Sequence, residues 1–134
     1  MKPSLKQGFS IIELIFVIAV LGIIAAVAVP KLMDTRSSAI VSTIKQDIST
    51  ITTSVQSYYM MNNKIDNISD SVNINESTWT VSSKKVEFKI EDTICISISL
   101  NDNKLSVDIN DNSDSSICKK LYESGVRDVS YDLY

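Results

Sequence analysis

Two groups of residues in this chain have types and spacing that could do chemistry. The first is Gly8, Phe9 and Glu13, at the head of the run GFSIIELIFVIAVLGIIAAVAVP. Glu13 is the fifth residue counted from Phe9 and lies in an apolar segment, where an unpaired carboxylate costs on the order of 2.5–3.5 kcal/mol. Such a charge needs a partner. Cutting the chain between Gly8 and Phe9 would create one, because an α-amino group, with a reference pKa of about 8, is largely cationic near neutral pH. Phe9 and Glu13 stand at i and i+4, so the pair can close within one helix or, with an axial offset, between neighbouring chains. The second group is Cys95 and Cys118, the chain's two cysteines.

Other chemistries are poorly supplied. The chain has no His to act as a general base, and its glycines are Gly8, Gly22 and Gly125, which cannot build a Gly-rich phosphate loop. Asp108, Asp111 and Asp114, with Asn110 and Asn112, offer oxygens that a Ca²⁺ could use. The run lacks the Gly at the sixth place and the Glu at the twelfth of an EF-hand loop, and a solvated turn is the competing reading. Lys84, Lys85, Lys119 and Lys120 could form a basic patch for DNA, but paired lysines at a turn and on a helix face more often serve solubility. No cofactor is implied.

The first group must be positioned by the apolar stretch itself. The 21 residues between Gly8 and Pro30 would cross a hydrocarbon core of roughly 30 Å as a helix rising about 1.5 Å per residue. A secretory signal would carry a small-residue cleavage site beyond its apolar run, whereas Ala25, Ala26 and Ala28 lie inside this one and Pro30–Lys31 is a poor match. Cleavage before the span, after the basic leader MKPSLKQG, leaves the helix on the mature chain. Lys2 and Lys6 would keep that short leader cytoplasmic while the long remainder is exported.

The segment KQGFSIIELIFVIAVLGIIAAVAVPKL resembles the N-terminus of type IV pilins and of the pseudopilins of type II secretion and DNA-uptake systems. The matching features are the leader ending in Gly8, Phe9 after it, Glu13 as the fifth mature residue, Gly22 within the helix and Pro30 closing it. The resemblance implies cleavage after Gly8 by a prepilin peptidase and N-methylation of Phe9. It further implies a single-span intermediate in the inner membrane, an assembly platform and polymerisation with other pilins, with Phe9 and Glu13 as the assembly pair.

Beyond the span the chain is one small polar domain, with 11 Lys and Arg against 15 Asp and Glu from Lys31 onward, a net −4. Nucleic-acid binding is possible but finds no support in that charge. Pro30 removes one backbone donor and is expected to kink the helix rather than end it, because the apolar period resumes beyond it. Ile40, Ile44, Ile48, Ile51, Val55 and Tyr58 or Tyr59 recur at steps of three and four, which extends the helix from Phe9 to about Asn62. At its end, a polar connector from Lys64 to Thr78 is anchored by Ile65, Ile68, Val72 and Ile74.

After the connector the period changes to two. Trp79–Val81 is a short strand, and Val86, Phe88 and Ile90, then Ile94, Ile96, Ile98 and Leu100, then Leu105, Val107 and Ile109 alternate as an antiparallel meander. Turns fall at Ser82–Lys84, Glu91–Asp92 and Asn101–Asn103, and one apolar face covers the helix stripe. Asp114 or Ser115 can cap a short helix over ICKKLYES, and Gly125 can end it. Val129, Tyr131 and Leu133 could add an edge strand.

On that alternation Cys95 points toward Ser97 and Ser99, where a buried free thiol is unexpected, so a disulfide to the short helix fits. It would close a loop of about 23 residues and contribute roughly 3 kcal/mol. Two reduced thiols remain the alternative, and a metal pair lacks His and neighbouring Cys. The resemblance adds that many pilins close a C-terminal loop with a disulfide.

The expected fold class is α+β and pilin-like: a long N-terminal helix packed on a small antiparallel sheet with a disulfide-closed C-terminal region. Its parts are a cleaved leader, 1–8, a membrane or filament-core helix, 9–30, the amphipathic half of that helix, 31–62, and the head, 63–134. The expected function is structural, a subunit of a pilus, secretion or DNA-uptake filament, with no enzymatic activity. A minor pilin that contacts DNA or a secreted substrate, and a membrane-anchored periplasmic binding domain that never polymerises, are the alternatives.

Overall fold

The computed structural model describes residues 8–134; the basic leader with Lys2 and Lys6 lies outside the described residues. The chain divides into two compact units, one ending at Arg36 and the other running Ser37–Tyr134. Helix α1, Ile11–Asn62, contributes to both, and Pro30 sits in its interior instead of ending it.

In the first unit, every described residue from Gly8 to Arg36 is exposed. Fourteen large apolar side chains, from Phe9 to Val29, stand open. At about 1.5–3 kcal/mol for each such side chain kept out of water, the total exceeds the ~5–15 kcal/mol by which a whole domain is stable. This segment therefore requires lipid or other protein around it. Among the described residues, α1 is also the one helix long and apolar enough to cross a membrane, by length and composition.

The second unit is built on the stripe of α1 that includes Val41, Ile44, Ile51, Val55 and Tyr59, all buried in one core with the sheet. The helix ends where Asn63 turns left-handed, φ 57°, and its amide donates to the Tyr59 carbonyl at 2.7 Å. Asn tolerates that conformation better than most residues. The connector holds a short 3-10 turn, Ile68–Asp70, whose Ile68 is fully buried, while Ile65, Val72 and Ile74 pack at the margin.

Five strands follow as the expected meander: β1 Trp79–Val81, β2 Lys85–Ile90, β3 Thr93–Asn101, β4 Lys104–Ile109 and, after helix α2 Ser116–Glu123, β5 Val129–Asp132. Each pairs antiparallel with the next. The two tight hairpins turn on Glu91–Asp92 and Asp102–Asn103, all four residues with φ between 45° and 66°. Two consecutive left-handed residues make the turn whose twist matches paired strands. Across the sheet, Val81, Val86, Ile98, Val107 and Val129 form one row, and Lys85, Ser99, Ser106 and Ser130 form a neighbouring row on the opposite, polar face. The edge strand over Val129–Asp132 forms, with Tyr131 opposite Leu105.

One expectation fails here. The alternation predicts Ile94 on the apolar face with Ile96 and Ile98, and Cys95 with the serines; instead Ile94 is 37% exposed and Cys95 is fully buried. The pairing of β2 with β3 explains the exchange. Phe88 faces Ile96 and Lys89 faces Ile94, so Cys95 is an extra residue on β3. Such a bulge interrupts the alternation and lets two successive side chains, Cys95 and Ile96, enter the core.

Candidate assembly and processing site

Gly8, Phe9 and Ser10 lie outside the helix, and α1 opens at Ile11, two residues later than the sequence pattern placed it. Ser10 causes the delay. Its Oγ accepts the Glu13 amide at 3.1 Å and its carbonyl accepts the Leu14 amide at 3.1 Å. These are the two bonds of an N-cap residue, whose side chain satisfies an amide that the helix cannot. The motif SIIE, a Ser followed three residues later by Glu before an apolar run, was a readable signal for this cap. The strength of the apolar pattern hid it.

Glu13 therefore sits in the first turn of α1, where the helix dipole favours a negative charge. Its carboxylate makes no hydrogen bond or ion pair with the described residues, and it points into the same exposed environment as Phe9, itself 81% exposed. A Cβ placed on Gly8 or on Gly22 would meet no heavy atom within 4 Å. Nothing among the described residues explains glycine at either position.

Cys95 and Cys118 are joined in a disulfide that links β3 to α2, with Cα atoms 5.1 Å apart. Helix α2 begins after Ser115, without a side-chain cap bond, and ends as expected at Gly125, φ 105°. The Gly125 amide donates to the Tyr122 carbonyl at 3.1 Å and the Val126 amide to the Leu121 carbonyl at 3.2 Å, the two bonds of a Schellman closure. Arg127, not singled out in the sequence, lies 3.7 Å over the Tyr122 ring and donates to the Tyr122 and Val126 carbonyls. Lys45 donates to the Ser124 carbonyl at 2.9 Å, so two cations meet the negative end of α2.

The acidic run resolves into turn chemistry. Asn110 Oδ1 accepts the Asn112 amide at 3.2 Å, and its side-chain amide donates to the Ile94 carbonyl at 3.3 Å. No group of three His, Cys, Asp or Glu side chains able to hold a metal ion occurs among the described residues. Of the four lysines read as a basic patch, Lys85 is paired with Glu87 at 2.6 Å.

The family model described as the prokaryotic N-terminal methylation motif matches residues 3–29. That match covers the Gly8–Phe9 bond, the Ser10 cap, Glu13 and the exposed apolar helix together. The segment therefore carries the N-terminal methylation motif of prokaryotic prepilins, and over about half its length the chain is similar to a pseudopilin and a type IV pilin. Its relatives include the type II secretion system core protein G of Pseudomonas aeruginosa, 36% identical over 67 residues, which are 50% of this chain and 44% of that protein. The type IV major fimbrial protein FimA of Dichelobacter nodosus is 32% identical over 63 residues, 47% of this chain and 39% of that pilin. The chain thus spans less than half the length of the curated relatives it matches. No solved structure matches it.

A second family model, the CS domain, matches residues 23–91. That span opens in the middle of the apolar part of α1 and closes at the β2–β3 turn, omitting β3, β4 and β5. It coincides with neither compact unit and splits the five-stranded sheet, so neither fold nor function follows from it.

Proposed function

We propose that this chain is a structural subunit of a type IV pilus-like filament, serving a pilus, a secretion or a DNA-uptake machine. In this reading a prepilin peptidase removes residues 1–8, Phe9 is N-methylated, and the chain waits in the inner membrane, through its apolar helix, with the head exported. It then polymerises with other pilins on an assembly platform. The observation that carries the proposal is the apolar part of α1, exposed in the single chain and bearing near its start one carboxylate that has no partner among the described residues.

Lipid can cover that helix before assembly, and neighbouring helices can replace lipid afterwards. Glu13 sets the register of the exchange. Its carboxylate, taken from the membrane edge into an apolar core, needs the Phe9 amine of an adjacent subunit, and the match of charges favours one axial offset over others. Gly22 allows close helix approach, which the single chain does not need. Pro30 leaves the Ala26 carbonyl without its helical donor and supplies a point of bending between the filament core and the head.

The test is assembly in a cell that carries the peptidase and platform. Glu13→Leu should insert in the membrane and lose its leader, yet be absent from sheared filaments. Filaments of normal abundance from Glu13→Leu contradict the charge-pair reading. A wild-type chain that stays monomeric in the membrane favours the anchored-domain alternative.

A further inference from the structure

We infer that Ser10 is a positioning residue for leader removal: its side chain stops α1 short of Phe9 and holds the Gly8–Phe9 peptide bond outside the helix. The inference rests on the reading of Gly8–Phe9 as the cleavage site. In an uninterrupted α-helix the Glu13 amide donates to the carbonyl four residues back, which is that of Phe9. Here it donates to Ser10 Oγ at 3.1 Å instead. The hydroxyl thus occupies the donor that would draw Phe9 into the first turn.

The bond that the peptidase must attack lies immediately before this stop. A peptide bond wound into a helix has its carbonyl turned along the hydrogen-bond ladder and its faces covered by the adjacent turns, whereas an extended one is open to a nucleophilic water. Gly8 and Phe9 are non-helical and exposed, and a Cβ on Gly8 would find no obstruction within 4 Å. The surroundings make the cap matter more than it would in water. At the membrane edge an unsatisfied amide finds few water molecules, so loss of the hydroxyl drives the Glu13 amide toward the Phe9 carbonyl.

The experiment measures cleavage of the full-length chain in proteoliposomes by purified prepilin peptidase, for the wild type, Ser10→Ala, Ser10→Thr and Ser10→Asn. Ser10→Ala is expected to raise KM, by up to about five-fold, with kcat unchanged, because the extended population falls while the chemistry at the bond does not. That factor corresponds to about 1 kcal/mol, the usual worth of an N-cap. Thr and Asn, which also cap, should restore KM to within about two-fold. Cleavage of Ser10→Ala with wild-type constants overturns the inference and leaves the cleavage site standing. A defect that neither Thr nor Asn repairs also overturns it, since capping is what those residues share with Ser. If the wild-type chain is not cut at Gly8–Phe9, the proposed function and this inference fall together.

Discussion

Replacing both Cys95 and Cys118 by Ala gives the most quantitative test of how the head is held together. The bond closes a separation of 23 residues, for which the chain-entropy relation gives about 3 kcal/mol. Both sulfurs are fully buried, so Ala is a better probe than Ser, which would bury two hydroxyls in an apolar core at further cost. The head unit, Ser37–Tyr134, is of a size at which 1 kcal/mol moves Tm by about 4–8 °C, so the double variant should melt about 12–24 °C lower. Thermal unfolding followed by circular dichroism reads this directly. Each single Ala variant should cost nearly as much as the double, because either one removes the whole cross-link. A fall in Tm of under about 4 °C, or strictly additive single variants, refutes the view that the link anchors α2 to β3.

Three further outcomes are expected. Gly8→Ala should be processed almost normally and Gly8→Leu should accumulate with its leader, as read by immunoblot; because the chain leaves open space at Gly8, any block must come from the peptidase, and normal maturation of Gly8→Leu argues against the site. Trp79 is buried and its indole donates to Asp47 Oδ2 at 2.9 Å, so Asp47→Ala should cost about 1–3 kcal/mol in urea unfolding and much less in a Trp79→Phe background; an equal cost in both backgrounds removes the hydrogen bond from the explanation. Glu87 is held below its ordinary value of 4.5 first by the hydrogen bond from Lys85 and then by Lys89. A depressed carboxylate stabilises the fold above its unfolded pKa, and that contribution is lost as pH falls through the folded one. Glu87→Gln should therefore narrow the stability gap between pH 6 and pH 3, and an unchanged acid limb would contradict the pairing.

Local signals carried most of the head into the sequence reading. The left-handed pairs Glu91–Asp92 and Asp102–Asn103, the Asn63 helix end and the Gly125 closure each depend on a few neighbouring residues whose backbone preferences are strong. Non-local features did not show. ICISISL alternates on paper, and only the partner strand, with Lys89 opposite Ile94, reveals that Cys95 is an inserted residue. The Asp47–Trp79 bond joins residues 32 positions apart, which no local pattern can announce. At the candidate site Glu13 stands out in the sequence because a charge in an apolar run is anomalous by itself. Ser10 was legible only in principle, since a cap motif and the start of an apolar run occupy the same residues. For Glu13 the proposed partner is the amine of another chain, and a single chain offers only the carboxylate without a partner among its described residues.

The most direct measurement is the intact mass and N-terminal peptide of the protein purified from its native membrane. The expected chain begins at Phe9, carries one added methyl group on that amine, and lacks the two thiol hydrogens of Cys95 and Cys118. A chain that still begins at Met1, in cells with an active prepilin peptidase, contradicts it: the leader would not be recognised, Glu13 would have no N-terminal amine at Phe9 to meet, and a monomeric anchored domain would replace the filament subunit.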